Sequence, residues 1–458
     1  MPEADADIRT NSSSTGAIVK NDRRTIFGWC VYDWANSAYI TTTVGLLPIY
    51  FANVVVGGEG VRIAGKLVAT DSLWAIAVGL TSFLAFLVAP VMGAVADFSG
   101  AKKKFLLTFA YGGSLFATLL YFSQSGDIAR TLLFFLGANF CFISANVFYD
   151  SFLPHIVTPD KLDWVSGKGY SYGYIGGGLQ FALALVLMTL HERVGISQGM
   201  AARIGIATAG IWWAGFTLIT AKLLREPSRR SAAAEYGDLR GPLAYVAVGF
   251  GRTITTIKKV RQFRQLVLFL VAFMLYDDGI QTVINMATTY GTVELKLSPT
   301  VLMLTLLVIQ FVAMGGALIF SKLAGRFGTK RTIMVTLVLW SGVVIYAYFI
   351  RSATEFFTLG MIVGVVMGGS QALSRSFYSS MVPEQASAEF FGFYTVFTKF
   401  SSIWGPWTFA LVKQSLGSSR LAILSLIFFF IAGLVLLYFV DVKRAQEARN
   451  SPLFEKGA

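Results

Sequence analysis

The apolar residues of this chain come in blocks of roughly twenty, the length an α-helix needs to cross about 30 Å of hydrocarbon. Twelve such blocks lie near 27–53, 72–95, 105–123, 131–150, 169–190, 202–223, 265–289, 298–320, 332–350, 355–376, 390–412 and 420–440. In lipid each backbone N–H and C=O must be satisfied within its own segment or a closed barrel, so the blocks predict helices. Connections are short except for the stretch from about 224 to 264, which follows the sixth block. The expectation is an all-α integral membrane protein of twelve transmembrane helices in two pseudo-symmetric six-helix halves. Its segments are a tail at 1–25, a first half at 26–223, a linker at 224–264, a second half at 265–441 and a tail at 442–458.

Composition agrees. The 458 residues are 55% hydrophobic and 14% charged, with mean hydropathy +0.63; soluble chains carry about 25% charged residues. A net charge of +13 raises the question of nucleic acid. The distribution answers it: with the N-terminus inside, about 28 of the 38 Lys and Arg fall on the inner side and about 9 outside. That is the positive-inside pattern, and no nucleic-acid partner is expected. Lys102-Lys103-Lys104, Arg229-Arg230, Lys330-Arg331, Lys443 and Arg444 all land inside, so both termini are expected in the cytoplasm, and in the inner or plasma membrane if the chain is bacterial. The first 25 residues hold no apolar run before a cleavage site, so the first block is expected to be its own insertion signal. Cys30 and Cys141 both fall inside blocks, and no disulfide framework is implied.

Against this background a few polar residues stand out. Asp33 and Asp277 each follow a tyrosine within a hydrophobic run, at matching places in the two halves. An ionised carboxylate at the centre of a membrane helix costs about 2.5–3.5 kcal/mol, so it has a partner or a task. Asp33, Ser37 and Thr41 recur at every fourth position with Asn36 beside them; Asp277, Gln281, Asn285 and Thr288 form a similar stripe next to Asp278. Asn139, Asn146 and Asp150 repeat the pattern in the fourth block. Such faces turn toward protein or water, either as interhelical hydrogen-bond partners or as a solute path. Lys399 lies inside the eleventh block and requires a carboxylate partner or an anionic group of a substrate. It is expected either in a fixed ion pair with Asp33 or Asp277, or as the anchor of a substrate carboxylate. Tyr170 and Tyr174 are candidates to line the path. Arg375, Asp150 and Asp97 lie near inner helix ends and are candidate gate residues; Lys168 and His155 read as interfacial.

Two connectors repeat. Gly93 to Lys104 joins the second and third blocks, and Lys322 to Arg331 joins the eighth and ninth. Gly100 and Gly328 correspond, each followed by one residue and then cations, Lys102 and Lys103 in one copy, Lys330 and Arg331 in the other. Each is a tight glycine turn at the inner surface, and their equivalence suggests a gate. Here the chain resembles the major facilitator superfamily, whose connector between the second and third helices is matched by Gly93, Asp97, Gly100, Lys102 and Lys103; the second copy has Gly325 in place of the acid. Within that superfamily, Tyr32-Asp33-Trp34-Ala35-Asn36-Ser37-Ala38 resembles the opening of the vacuole-effluxer-like permeases, related to an autophagy-associated vacuolar amino-acid exporter. Stretches 166–177 and 389–400 are similar to the same family, and the resemblance covers nearly the whole chain. It implies a transporter working by alternating access, exporting amino acids or similar solutes bound at the midplane between the halves.

Other motifs fall away. Gly169-Tyr-Ser-Tyr-Gly173 matches the serine-hydrolase elbow, but it opens a hydrophobic helix in a chain with two histidines, and the glycines suit close helix packing. Zinc-protease and phosphate-loop motifs are missing, so no cofactor, no metal and no ATP-driven step is expected. In the linker, Leu243, Val246, Phe250, Ile254 and Ile257 at helical spacing, with Arg252, Lys258, Lys259 and Arg261, read as a basic amphipathic helix on the inner leaflet. Residues 1–22 and 445–458 read as disordered tails. The function expected is secondary transport of a small polar solute by a monomer, with Asp33 and Asp277 as proton-coupling or amine-binding groups. The alternatives are a proton-coupled importer of a sugar or organic cation, a non-transporting receptor or scaffold, and, more remotely, a membrane enzyme.

Overall fold

The computed structural model describes residues 19–58, 60–63, 65–227, 242–259 and 263–449. Arg229, Arg230 and Arg261, named above, lie outside the described residues, as do the side chains of Leu243 and Lys259 and the tail stretches 1–18 and 450–458.

The first half is built from α1 (Arg23–Gly45), α2 (Thr70–Ser99), α3 (Lys102–Leu119), α4 (Ile128–Ser151), α5 (Leu162–Thr189) and α6 (Gln198–Leu223). The linker forms α7 (Pro242–Lys259). The second half comprises α8 (Arg264–Val293), α9 (Pro299–Phe327), α10 (Thr329–Phe349) and α11 (Ala353–Met381). It continues with α12 (Ser387–Phe400), α13 (Trp404–Leu416), α14 (Ser419–Ser425) and α15 (Ile427–Tyr438), and α16 (Val442–Arg449) closes the described chain. Among the described residues ten segments are single helices long and apolar enough to span a membrane, and α1 with Leu47–Val56 makes a bent eleventh. The twelfth is α12 and α13 in succession, interrupted at Ser401–Ile403. Twelve crossings in two sets of six follow.

Two departures from the sequence expectation are local. The connector after the first span contains a hairpin of β1 (Gly60–Ile63) and β2 (Lys66–Ala69), antiparallel with Val61 opposite Val68. Residues 19–22 and 442–449, expected in the tails, are folded against the body of the protein. Asp22 caps α1 by accepting from the Thr25 amide at 3.0 Å, and the Asn21 amide donates to the Ile156 carbonyl at 2.8 Å. At the other end residues 442–449 are helical, with Ala445 buried. Glu384 ties the ends together, accepting from Lys20 at 2.6 Å and Arg449 at 2.8 Å, and so marks the tail face of the molecule.

Each half has its own apolar core: Trp29, Tyr149 and Trp213 sit in one, Phe269, Trp340 and Phe430 in the other. Large apolar side chains such as Phe83, Leu133, Val335 and Phe428 project outward, as a bilayer-facing surface requires. The halves meet along α2 with α12 and α5 with α9. Glycines make these seams possible. A Cβ on Gly93 would sit 2.2 Å from the Ala388 carbonyl oxygen, and one on Gly392 2.7 Å from Pro90 Cα, so α2 and α12 each give up a side chain to the other. Small residues are the usual device for close helix contact in lipid, where apolar burial supplies no drive.

Candidate substrate cavity and its gates

A cavity of about 480 Å³ lies between the halves. It is lined near mid-membrane by Asp33, Asn36 and Ser37 of α1, Tyr170 and Tyr174 of α5, Asp277 and Gln281 of α8, and Lys399 of α12. It runs to Val44, Thr288, Leu302 and Phe356, all at helix ends remote from the tail face. Toward the tail face it ends on Asp150 and Arg375.

Arg375 is the centre of that floor, 2% exposed. Its Nη1 donates to Asp33 Oδ2 and to Asp150 Oδ1, both at 3.1 Å; Nε donates to Ser166 Oγ at 3.0 Å and Nη2 to the Ser166 carbonyl at 2.9 Å. The guanidinium carbon stands 4.1 Å from the ring centroid of Tyr170, 4.8 Å from Trp29 and 5.4 Å from Tyr149. Tyr149 also donates its hydroxyl to Asp33 Oδ2 at 2.7 Å. One side chain of the second half is thereby held by α1, α4 and α5 of the first. A planar fork that both hydrogen-bonds and stacks suits arginine and not lysine. Two carboxylates share one guanidinium, so with both ionised the group carries a surplus negative charge.

A second latch lies nearer the tail face. Lys102 Nζ is 2.7 Å from Asp97 Oδ1 and donates to Ser387 Oγ at 2.7 Å and to His155 Nε2 at 2.8 Å. Asp97 accepts from the amides of Ala388 at 3.2 Å and Glu389 at 2.8 Å. These are first-turn amides of α12, which have no partner within the helix and favour a negative charge. Gly100, at φ +63, ends α2 in the left-handed region so that the chain can turn into α3. Lys103 contributes its backbone: its amide donates to Glu226.

The repeat is present with its acid moved. Gly325 leaves the second connector without a carboxylate, and Asp163 in the first turn of α5 supplies one instead. It accepts from Thr329 Oγ1 at 2.7 Å and Ser376 Oγ at 2.5 Å. Lys330 binds the carbonyls of Tyr438 and Val440, both at 2.7 Å, within its own half, and Arg331 is exposed. Gly328 has φ +89 and starts α10. These bonds between halves run from mid-membrane to the tail face, where the molecule is closed.

The second half places its carboxylates differently from the first. Asp277 Oδ2 accepts from Ser401 Oγ at 2.8 Å, with Gln281 Nε2 at 3.4 Å from Oδ1. Asp278 turns away from the cavity, and both its oxygens accept from the Gly405 amide at 2.9 Å, capping α13 where the eleventh span breaks. Lys399 lies in the last turn of α12, where the helix dipole favours a cation. It has no ion pair among the described residues; the fixed pair to Asp33 or Asp277 expected from sequence is not formed, because Arg375 holds Asp33 and Asp277 is met by hydroxyl and amide groups.

Of the other residues singled out from sequence, Asn285 is exposed outside the cavity lining, since each four-residue step drifts about 40° around the helix. Asn146 lines the cavity and accepts from Asn36 at 2.8 Å, whereas Asn139 bonds Thr81 at 2.8 Å between α4 and α2. His155 belongs to the Lys102 latch. Ser166, Asp163, Ser387 and Tyr149 were missed; they are common residue types near span ends, and only their partners across the seam distinguish them. The glycines of the hydrolase-like motif face α1: a Cβ at Gly169 would meet Trp29 and Arg375 at 2.8 and 2.9 Å, and one at Gly173 Ser37 at 2.7 Å.

Comparison with known proteins agrees with this architecture. The family profile described as "Vacuole effluxer Atg22 like" matches residues 21–450. A Bacillus subtilis (strain 168) protein named "Uncharacterized MFS-type transporter YxiO" is 35% identical over 432 residues, 93% of this chain and 97% of that protein. Autophagy-related protein 22-1 of Aspergillus niger is 28% identical over 299 residues, 62% of this chain; the match spans 48% of that longer protein. Among solved structures, the human organic anion transporter MFSD10 superposes with TM-score 0.68 at 13% identity, covering 92% of this chain and all of that one. The transporter FucP in its outward conformation gives 0.63 at 12% identity, with 91% and 98% covered. At such identities the likeness is one of fold. The chain is a multi-pass membrane transporter of the major facilitator type, and it belongs to the Vacuole effluxer Atg22 like family.

Proposed function

We propose that this transporter exports amino acids or closely similar small zwitterions by alternating access, from a cytoplasm that bathes the tail face. The observation that carries the reading is the pairing of Lys399 and Asp277 in one cavity. Among the described residues the cation has no ion pair and the carboxylate has no basic partner within bonding range, which is the set a substrate carboxylate and ammonium group need. The family description, an effluxer, supports export. The concentration of Lys and Arg on the connectors of the tail face supports a cytoplasmic placement, in the inner or plasma membrane if the chain is bacterial. The arrangement described is outward-facing in this reading, with Arg375 and Lys102 as the cytoplasmic gates, and the working unit is one chain.

Asp33, Arg375 and Asp150 favour proton coupling within the same scheme. A proton reaching the surplus carboxylate from the cavity weakens its hold on Arg375 and lets the halves part. The same group supports a second reading, proton-driven uptake of another solute such as a sugar or organic cation.

The test is counterflow in proteoliposomes preloaded with mixed amino acids, comparing wild type with Lys399→Ala. Uptake of labelled amino acid by wild type alone is expected. Equal uptake by both removes Lys399 from the site. No uptake by folded wild type discards the amino-acid class, and sugars and organic cations tested under an inward proton gradient then decide the second reading.

A further inference from the structure

His155 is one of two histidines in the chain, and the transport scheme gives it no task. It sits in the connector between α4 and α5, partly exposed, against the Asp97–Lys102 latch. Lys102 Nζ lies 2.7 Å from Asp97 Oδ1, 2.7 Å from Ser387 Oγ and 2.8 Å from His155 Nε2, so each N–H of the ammonium has one acceptor. The Ser387 hydroxyl donates its single proton to the Ser151 carbonyl at 3.0 Å. His155 Nε2, also 3.0 Å from Ser387 Oγ, is therefore an acceptor, and the network assigns a neutral ring with its proton on Nδ1. Ser387 belongs to the second half, and Lys102, His155 and Ser151 to the first, so the junction exists only while α12 is seated against the first half.

A proton added to Nε2 would end the bond from Lys102 and set two cations 2.8 Å apart. The neighbouring charges give no relief. Asp97 is engaged by Lys102 and the Ala388 and Glu389 amides, and Asp150 by Arg375. Lys20 and Arg449 share one carboxylate, donating to Glu384 Oε1 at 2.6 and 2.8 Å, and so add net positive charge. Lys20 adjoins Asn21, whose amide binds the Ile156 carbonyl next to His155. Glu389 is buried in the first turn of α12, and its Oε1 has no hydrogen bond among the described residues. Once α12 leaves, Lys102 can turn into solvent and the imidazole can take a proton at the ordinary value of about 6.5. We propose that His155 is a positioning residue for Lys102 and the proton sensor of the tail-side gate: acid on that face undoes the junction and favours the parted halves. The inference rests on the reading of Lys102 as a gate and not on the identity of the solute. The parted state binds a proton that the closed state excludes, so its share rises as pH falls. Between about pH 7.5 and 5.5 the ratio of parted to closed molecules rises about tenfold through this residue alone.

The experiment reads the gate directly and needs no solute. Nitroxides are placed on Lys104→Cys and Gln385→Cys, exposed positions on opposite sides of the seam, in a full-length chain carrying Cys141→Ala. Distance distributions are compared in nanodiscs at about pH 7.5 and 5.5, and Gly93→Val, which wedges α2 from α12, calibrates the long distance. Wild type is expected to gain the long distance on acidification. His155→Gln keeps an acceptor for Lys102 but takes no proton, so its parted-to-closed ratio should respond about tenfold less. The same difference is expected with and without Glu389→Gln. Equal wild-type distributions at the two pH values overturn the sensor, as does a full acid response in His155→Gln. A difference that vanishes with Glu389→Gln assigns the response to that carboxyl and overturns it too. A short distance in Gly93→Val means that the halves do not part here, and the gate reading falls together with the sensor. Failure of amino-acid counterflow leaves each of these results unaffected.

Discussion

At the scale of single residues, Arg375 is the group on which most depends. It is buried with two carboxylates around it, and removing one member of such a group strands the rest without compensation, at about 3–5 kcal/mol. Arg375→Ala is therefore expected to lower stability in detergent by that order, read as thermal unfolding; a variant as stable as wild type contradicts the arrangement. Arg375→Lys keeps the charge and loses the fork, so it should fall between. Asp33 was conspicuous in the sequence as a charge in an apolar run, and Arg375 as a cation near an inner helix end. That they meet each other, with Lys399 left over, was not legible, because they lie 342 positions apart and the base expected to pair with Asp33 was Lys399.

At the scale of elements, the seams and breaks make the predictions. Gly93→Val places a side chain where the Ala388 carbonyl stands, and is expected to hold α2 and α12 apart, seen as a longer distance between labels on Lys104→Cys and Gln385→Cys. Asp278→Ala removes the acceptor of the Gly405 amide at the start of α13; loss of such a cap costs about 0.5–2 kcal/mol, and calorimetry should register a loss in that range. Glu226, just beyond α6, accepts the Lys103 amide at the start of α3, and burial holds its carboxyl above the ordinary value of 4.5. The folded chain thus keeps this proton to higher pH than the unfolded chain does. Its contribution to stability is complete below pH 4.5 and is lost as pH rises through the elevated value. In stability measured from pH 4 to 7, Glu226→Gln should flatten that slope; an unchanged slope places its origin elsewhere. The repeated connectors were visible as matching glycine turns. The transfer of the acid from the second connector to Asp163 was not, since a carboxylate in a helix's first turn is an ordinary capping feature until its partner is known.

At the scale of the whole molecule, the halves are joined on one side of the membrane and separated by a cavity on the other. Cross-linking Lys104→Cys to Gln385→Cys with a short bifunctional reagent is expected to stop turnover while solute still binds from the far face. Continued transport by the linked protein means that the halves do not part at this end.

Taken alone, the sequence was sufficient for the twelve crossings, the division into halves and the tight glycine turns, because hydrocarbon thickness and backbone hydrogen bonding act on contiguous residues. It was sufficient also to show which charges need a partner, since burial in lipid is costly for each one separately. Only the tertiary structure decided who the partners are: Arg375 for Asp33 and Asp150, the Gly405 amide of α13 for Asp278, and, among the described residues, no ion-pair partner for Lys399. Those choices depend on the rotation of each helix and on the fit of α2 to α12 and α5 to α9. A pattern of residue types along one strand of sequence does not specify such relations between distant helices.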